Sequence, residues 1–188
     1  MITAIFDKNI VKILTLVSIS SGSKFQRKEI KDKLIINNVP LDKALSTLVK
    51  TGILKQEKRL YSMNFEYKHA NEILRIIKSE HIRFKEVPLK VYFALIDSSA
   101  SLSQIQGIHK AYLFGSYAKL IYTDKSDVDI AIFFDQESSK LKKLVNQAIH
   151  KIEKKYSKNI ETHYFNKKDL KKKDPLIKEI LRNNVVLF

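Results

Sequence analysis

The sequence predicts an α+β chain in three parts: a helix-rich domain over residues 1–66 that closes on a strand pair, a helical connector over 67–106, and a small mixed sheet with helices packed on it over 107–188. Three observations carry this reading. Apolar residues recur at helical spacing through most of the first hundred positions. From His109 onward the pattern changes to strands alternating with helices. Gly and Pro number only 4 and 3 in 188 residues, with 44% hydrophobic and 29% charged side chains, a composition that excludes collagen-like and low-complexity chains. The length suits one or two small domains of roughly 150 residues or fewer.

Other classes fall away on composition. There is no Cys, so disulfide scaffolds, thiolate zinc sites, iron–sulfur clusters and cysteine nucleophiles are excluded. No apolar run approaches the ~20 residues of a membrane span, and Asp7 and Lys8 interrupt any N-terminal signal sequence. The expected compartment is the cytoplasm, with no membrane partner. The net charge of +15, from 35 Lys and Arg against 20 Asp and Glu, favours anionic partners such as nucleic acid or nucleotides. It is spread along the chain rather than gathered in one stretch.

In the first domain, Ile10, Ile13, Leu14 and Val17 share one face of a helix over 8–19, which the Ser20–Ser23 stretch ends. A second helix, about 26–34, carries Ile30 and Leu34. Asn37, Asn38 and Pro40 mark a turn into a third, about 40–51, whose Leu41, Ala44, Leu45, Leu48 and Val49 face inward. Gly52 stands where a C-cap is expected. Ile53–Gln56 and Leu60–Met63 then form a hairpin about the charged turn Glu57-Lys58-Arg59. This order of three helices and a basic-tipped hairpin resembles the winged helix-turn-helix fold. The resemblance implies a third helix that enters the DNA major groove through Lys43, Ser46, Thr47 and Lys50, with Lys58 and Arg59 of the wing on phosphate. A protein–protein or dimerisation role for the same module, including a homodimer, stays open.

The connector places Ile73, Ile76 and Ile77, then Val91, Phe93, Ala94, Leu95 and Ile96, at helical spacing. Between them lie a turn around Phe84–Val87 and Pro88, and a loop is expected over Ser98–Ser103. Beyond it, strands are expected at 111–114, 127–134, 160–165 and 185–188, and helices at about 137–156 and 175–182. In the first of these helices Leu144, Ala148 and Ile152 are expected to face the sheet, leaving its lysines in solvent.

Chemistry concentrates where the first of these strands runs into Gly115-Ser116, ten residues before Asp127-Val128-Asp129-Ile130. Alternate residues of a strand share a face, so Asp127 and Asp129 project together while Val128 and Ile130 point into the core. Two carboxylates so close repel unless a cation lies between them, which points to a divalent metal. Gly115 allows backbone N–H groups to approach a phosphate, and Ser116 adds a hydroxyl where a helix begins. Taken singly, two acids on a strand are an ordinary solvent face and Gly-Ser an ordinary helix start. It is their spacing on these elements that is specific.

That combination resembles the nucleotidyltransferase superfamily that includes DNA polymerase β, and among its members the minimal nucleotidyltransferases, over about 108–188. The resemblance implies a catalytic and metal-binding set of Asp127, Asp129 and a third carboxylate on a neighbouring strand. Glu161 is the candidate for that third group and for general base; its other reading is an ordinary edge-strand glutamate. His163, two residues on and on the same face, is a nucleotide-contact candidate. Many relatives read Tyr-Ala-Arg-Gly after Gly-Ser, where this chain has Tyr117-Ala118-Lys119-Leu120. Lys119 keeps the positive charge near phosphate without the planar fork of Arg. Ser126 completes the Ser-Asp-x-Asp form and joins Gly115, Ser116 and Lys119 as a nucleotide-binding candidate.

The activity so implied is transfer of a nucleoside monophosphate from a nucleoside triphosphate to a hydroxyl, with two Mg²⁺. The acceptor is a protein or a nucleic acid, DNA or tRNA among them, in some relatives within toxin–antitoxin pairs. The alternative is a DNA-binding regulator or antitoxin whose second domain senses nucleotide or is inactive. Lys171-Lys172-Lys173 reads either as a nucleic-acid contact or as a solvated turn.

Overall fold

The computed structural model describes residues 6–20, 22–82, 84, 86–172 and 174–188. The chain divides into two compact units, Ile2–Lys85 and Glu86–Phe188, so the stretch read as a connector contributes one helix to each. Among the described residues there are eight α-helices and two small sheets, an α+β architecture. No helix among them is long and apolar enough to cross a membrane.

In the first unit, helix α1 (Lys8–Ile19) starts at Asp7, whose Oδ1 accepts from the N–H groups of Asn9 and Ile10 at 2.8 and 3.1 Å. Every residue from Val11 to Ser18 is buried, because helices α2 (Arg27–Leu34), α3 (Asn38–Lys50) and α4 (Ala70–Ile82) all pack against it. The hydroxyls of Thr15 and Ser18 fold back onto the carbonyls of Val11 and Thr15, so neither is left unsatisfied inside. Helix α3 begins at Asn38, earlier than expected, because Pro40 lies within the first turn, where the missing N–H has no helical partner to lose. The Arg27 guanidinium grips Asp42 at 2.6 and 2.9 Å and joins α2 to α3.

Strands β2 (Leu54–Glu57) and β3 (Leu60–Met63) form the expected hairpin, with a two-residue turn in which Lys58 takes a left-handed φ of 56°. A two-residue strand, β1 (Phe25–Gln26), pairs with β3 to complete the order β1-β3-β2. Two residues carry no periodicity, so nothing in the sequence marks β1.

The second unit is a four-stranded sheet of order β6-β5-β4-β7, built from β4 (Ile108–Phe114), β5 (Val128–Phe134), β6 (Ile160–Asn166) and β7 (Val185–Val186). Strands β5 and β6 are parallel and the other pairs antiparallel. Helices α5 (Leu89–Leu102) and α7 (Ser139–Tyr156) pack together on one side. Helix α8 (Pro175–Arg182) lies on the other, its Ile177 and Ile180 against Tyr112, Phe114, Ala131 and Phe133. Short helix α6 (Gly115–Lys119) follows β4 directly.

Two sequence expectations are corrected here. Ser98–Ser103 is not a loop: α5 continues through Leu102 with Ser98 and Ser99 fully buried. The small side chains permit close packing, and Ser99 donates to the Leu187 carbonyl at 3.0 Å. In the same helix Asp97 accepts from Lys155 and the Tyr156 hydroxyl at 2.7 and 2.6 Å, tying α5 to α7. The inward stripe of α7 is Val145, Ile149, Ile152 and Tyr156; Leu144 is exposed and Ala148 half-buried. Tyr156 anchors the helix one residue in rotation away from the Leu144 face. At the chain's end, Lys172 pairs with Asp169 at 2.6 Å, whereas Lys173, like Ser21 and Lys85 of the expected turns, lies outside the described residues.

Candidate active site

Antiparallel pairing sets Phe114, the last residue of β4, opposite Asp129 of β5. The chain must then turn sharply, and Gly115 does so with φ at +68°. A Cβ at this position would stand 2.0 Å from Asp129 Oδ2 and 2.8 Å from its Cγ. Glycine is therefore required twice, once for its left-handed backbone and once because the Asp129 carboxylate lies against it. The next residue completes the contact, as the backbone N–H of Ser116 donates to Asp129.

Parallel pairing of β5 with β6 sets Glu161 beside Asp129, and His163 beside Ala131 on the same face. Among the described residues, ligand atoms of Asp129, Glu161 and His163 all lie within 4.8 Å of one another, a group that does not include Asp127. His163 Nε2 stands 3.5 Å from Glu161 Oε1 and 3.9 Å from Asp129 Oδ1. Its ring meets Phe114 edge-on, with centroids 5.0 Å apart. The side chain of Asp129 is 21% exposed and that of Glu161 56%, so Asp129 is the inner carboxylate and Glu161 the solvent-facing one. Burial raises the pKa of Asp129 above the usual carboxylate range, and the negative charges of Glu161 and Asp127 add to the rise. The facing His163 and the Ser116 N–H act in the opposite direction. A cation beside such a buried carboxylate would favour its charged form.

The other candidates are placed as follows. Asp127 is half-buried, just before β5 begins, and near enough for its charge to act on Asp129. Ser126 closes the preceding turn, its hydroxyl accepting from the Thr123 N–H at 2.8 Å. Lys119, at the end of α6, is ion-paired with Glu179 of α8. In the other unit, Lys43, Ser46, Thr47 and Lys50 are exposed along α3, and Lys58 and Arg59 are exposed at the hairpin tip. The Thr47 hydroxyl donates to the Lys43 carbonyl at 2.9 Å.

The closeness of His163 to both carboxylates exceeds what the sequence suggested; strand alternation put it on the right face but could not say how far its ring reaches. The Lys119–Glu179 pair, between residues sixty apart, carried no sequence signal.

No curated protein matches the chain. A family model, Polymerase beta, Nucleotidyltransferase, matches residues 99–188. That segment holds the Gly-Ser turn, both Asp residues and Glu161, and the match supports the nucleotidyltransferase superfamily for this part of the chain.

Proposed function

We propose that the second unit transfers a nucleoside monophosphate from a nucleoside triphosphate to a hydroxyl acceptor, and that the first unit, as a winged helix, recruits the acceptor or DNA. The observation that carries the first half is the packing of the Gly115–Ser116 turn onto the Asp129 carboxylate with Glu161 alongside, together with the family match over these residues. Recruitment is supported by the exposed basic and polar face of α3 and the Lys58–Arg59 tip. The acceptor class is a protein of toxin–antitoxin type or a nucleic acid, tRNA included, and a homodimer is compatible with the same module.

The residues fit a divalent ion: two carboxylates stand side by side on adjacent strands, and the inner one is disfavoured as a bare anion. Asp127, Asp129 and Glu161 would hold Mg²⁺, which when bound supplies Lewis-acid polarisation of the α-phosphate and neutralises the leaving pyrophosphate. Asp129 is oriented by the Ser116 N–H, which leaves the Ser116 hydroxyl for the triphosphate. The more exposed Glu161 accepts the proton of the acceptor hydroxyl. The acceptor oxygen then bonds to the α-phosphorus, the α–β phosphoanhydride bond breaks, and pyrophosphate departs with that bond's electron pair. Ser126 acts by shaping the approach to Asp127, and Lys119 reaches a phosphate only by leaving Glu179.

The test is calorimetric titration of each nucleoside triphosphate, with and without Mg²⁺, into the wild type and an Asp127→Asn/Asp129→Asn variant. Mg²⁺-dependent binding that the variant loses is the expected result. No triphosphate binding in any condition would overturn the proposal and leave the exposed face of α3 as the place to seek function.

A further inference from the structure

We propose that His163 is a metal ligand, so that the centre takes two oxygens and one nitrogen from the protein and selects a first-row transition-metal ion, for which Mn²⁺ is the spectroscopic probe, over Mg²⁺. The proposal rests on the nucleotidyl-transfer reading only for what the ion is used for; the donor set is argued from geometry.

The Nε2 atom of His163 is sealed from solvent and has no hydrogen-bond partner among the described residues. A buried imidazole nitrogen without a partner is costly and calls for an explanation. Its two nearest acceptors, Glu161 Oε1 at 3.5 Å and Asp129 Oδ1 at 3.9 Å, lie beyond the ~2.7–3.2 Å of a good N–H···O bond. They are spaced instead as co-ligands. Two donors each about 2.1 Å from one ion stand about 3.0 Å apart at a right angle and about 4.2 Å apart when opposed. Both observed separations fall between these bounds, and all three ligand atoms lie within 4.8 Å of one another.

The three groups are also held in place. Asp129 is pinned by the Ser116 N–H and the Gly115 backbone, Glu161 is set beside it by the β5–β6 register, and the His163 ring is braced edge-on by Phe114. Mg²⁺ favours an all-oxygen shell, whereas imidazole suits ions further along the first transition row. An O,O,N set therefore shifts the preference away from Mg²⁺.

The experiment is titration of the full chain with Mn²⁺ and, separately, Mg²⁺, without nucleotide, with pulsed electron paramagnetic resonance of the Mn²⁺-loaded protein. We expect ¹⁴N modulation from a directly coordinated imidazole. His163→Ala should abolish it and weaken Mn²⁺ binding about tenfold while changing Mg²⁺ binding less than about twofold. His163→Phe, which keeps the aromatic packing against Phe114 but has no donor nitrogen, should behave as His163→Ala does and guards against a folding defect. Mn²⁺ bound without ¹⁴N modulation, an unchanged Mn²⁺/Mg²⁺ ratio in both variants, or no Mn²⁺ binding would each overturn the proposal. Its failure is distinct from failure of the transferase reading: ¹⁴N coupling without triphosphate binding removes only the latter, and Mg²⁺-dependent triphosphate binding without ¹⁴N coupling removes only the former.

Discussion

Gly115→Ala puts the local logic of the site to a quantitative test. The added methyl would meet Asp129 Oδ2 at 2.0 Å and Cγ at 2.8 Å, so the carboxylate must swing away and release the Ser116 N–H. A hydrogen bond to a charged group contributes about 1.5–3 kcal/mol. The left-handed backbone of a non-glycine residue costs a further ~1–2 kcal/mol. Together these give a loss of about 2.5–5 kcal/mol, which in a unit of this size lowers its Tm by more than about 10 °C. Gly22 supplies the control, since its φ is +89° and a Cβ there meets nothing within 4 Å; Gly22→Ala should carry only the backbone cost of ~1–2 kcal/mol. The assay is scanning calorimetry of the full chain with each variant in a wild-type and an Asp129→Ala background. In the Asp129→Ala background the Gly115→Ala cost should fall to that of Gly22→Ala, a coupling of about 1.5–3 kcal/mol between positions 115 and 129. Costs that add within ~0.5 kcal/mol across the cycle would refute the claim that Gly115 exists to admit the Asp129 carboxylate.

Three further outcomes are expected. Because the folded chain raises the pKa of Asp129, chiefly by burial, its contribution to stability is greatest below the ordinary carboxylate range and falls as pH rises through the raised value; Asp129→Asn should therefore gain Tm over wild type at pH 7 without metal, with the gain shrinking toward pH 4, and a pH-independent difference would contradict this. Tyr156→Phe removes a buried hydroxyl donating to Asp97 at 2.6 Å and should cost about 1.5–3 kcal/mol in thermal unfolding, at any pH up to about 9, since burial followed by the Asp97 charge holds the phenol pKa above its usual value. Glu179→Gln breaks the partly exposed pair with Lys119, and by the up to about 1 kcal/mol that such pairs contribute it should tighten triphosphate binding up to about fivefold in calorimetry, whereas Lys119→Ala should weaken it.

How far the sequence was legible depended on the range of the interaction being read. Gly115-Ser116 and Asp129 could be placed because the turn out of a strand and the alternation along one are properties of neighbours in the chain, whereas Asp127, expected on the strand, stands just before β5. Glu161 was reachable as the only acid on the following strand, although its position directly beside Asp129 is a matter of β5–β6 register that no local pattern encodes. Ser98 and Ser99 misled because four small residues in a row read locally as loop, while their burial comes from packing and from a bond to Leu187, 88 residues away. Leu144 misled by one step of helical rotation, which Tyr156 settles from three turns further on.

What local folding logic does not explain is more telling than what it does. A strand interior gains nothing from a half-buried aspartate that faces a glutamate across the ladder, lies against a glycine in a left-handed conformation, and leaves a histidine nitrogen sealed and unpartnered. The buried carboxylate, the glutamate beside it and the unpartnered nitrogen each oppose stability, and all converge on one face at one end of the sheet. Elsewhere in the same unit buried polar groups are paired, as in the Asp97–Lys155–Tyr156 and Ser99–Leu187 contacts, although the buried Ser98 hydroxyl has no partner among the described residues. Local conflict concentrated at one place in a fold marks a functional site, and a cation bound there would relieve the repulsion between Asp129 and Glu161 and give the His163 nitrogen a partner at the same time.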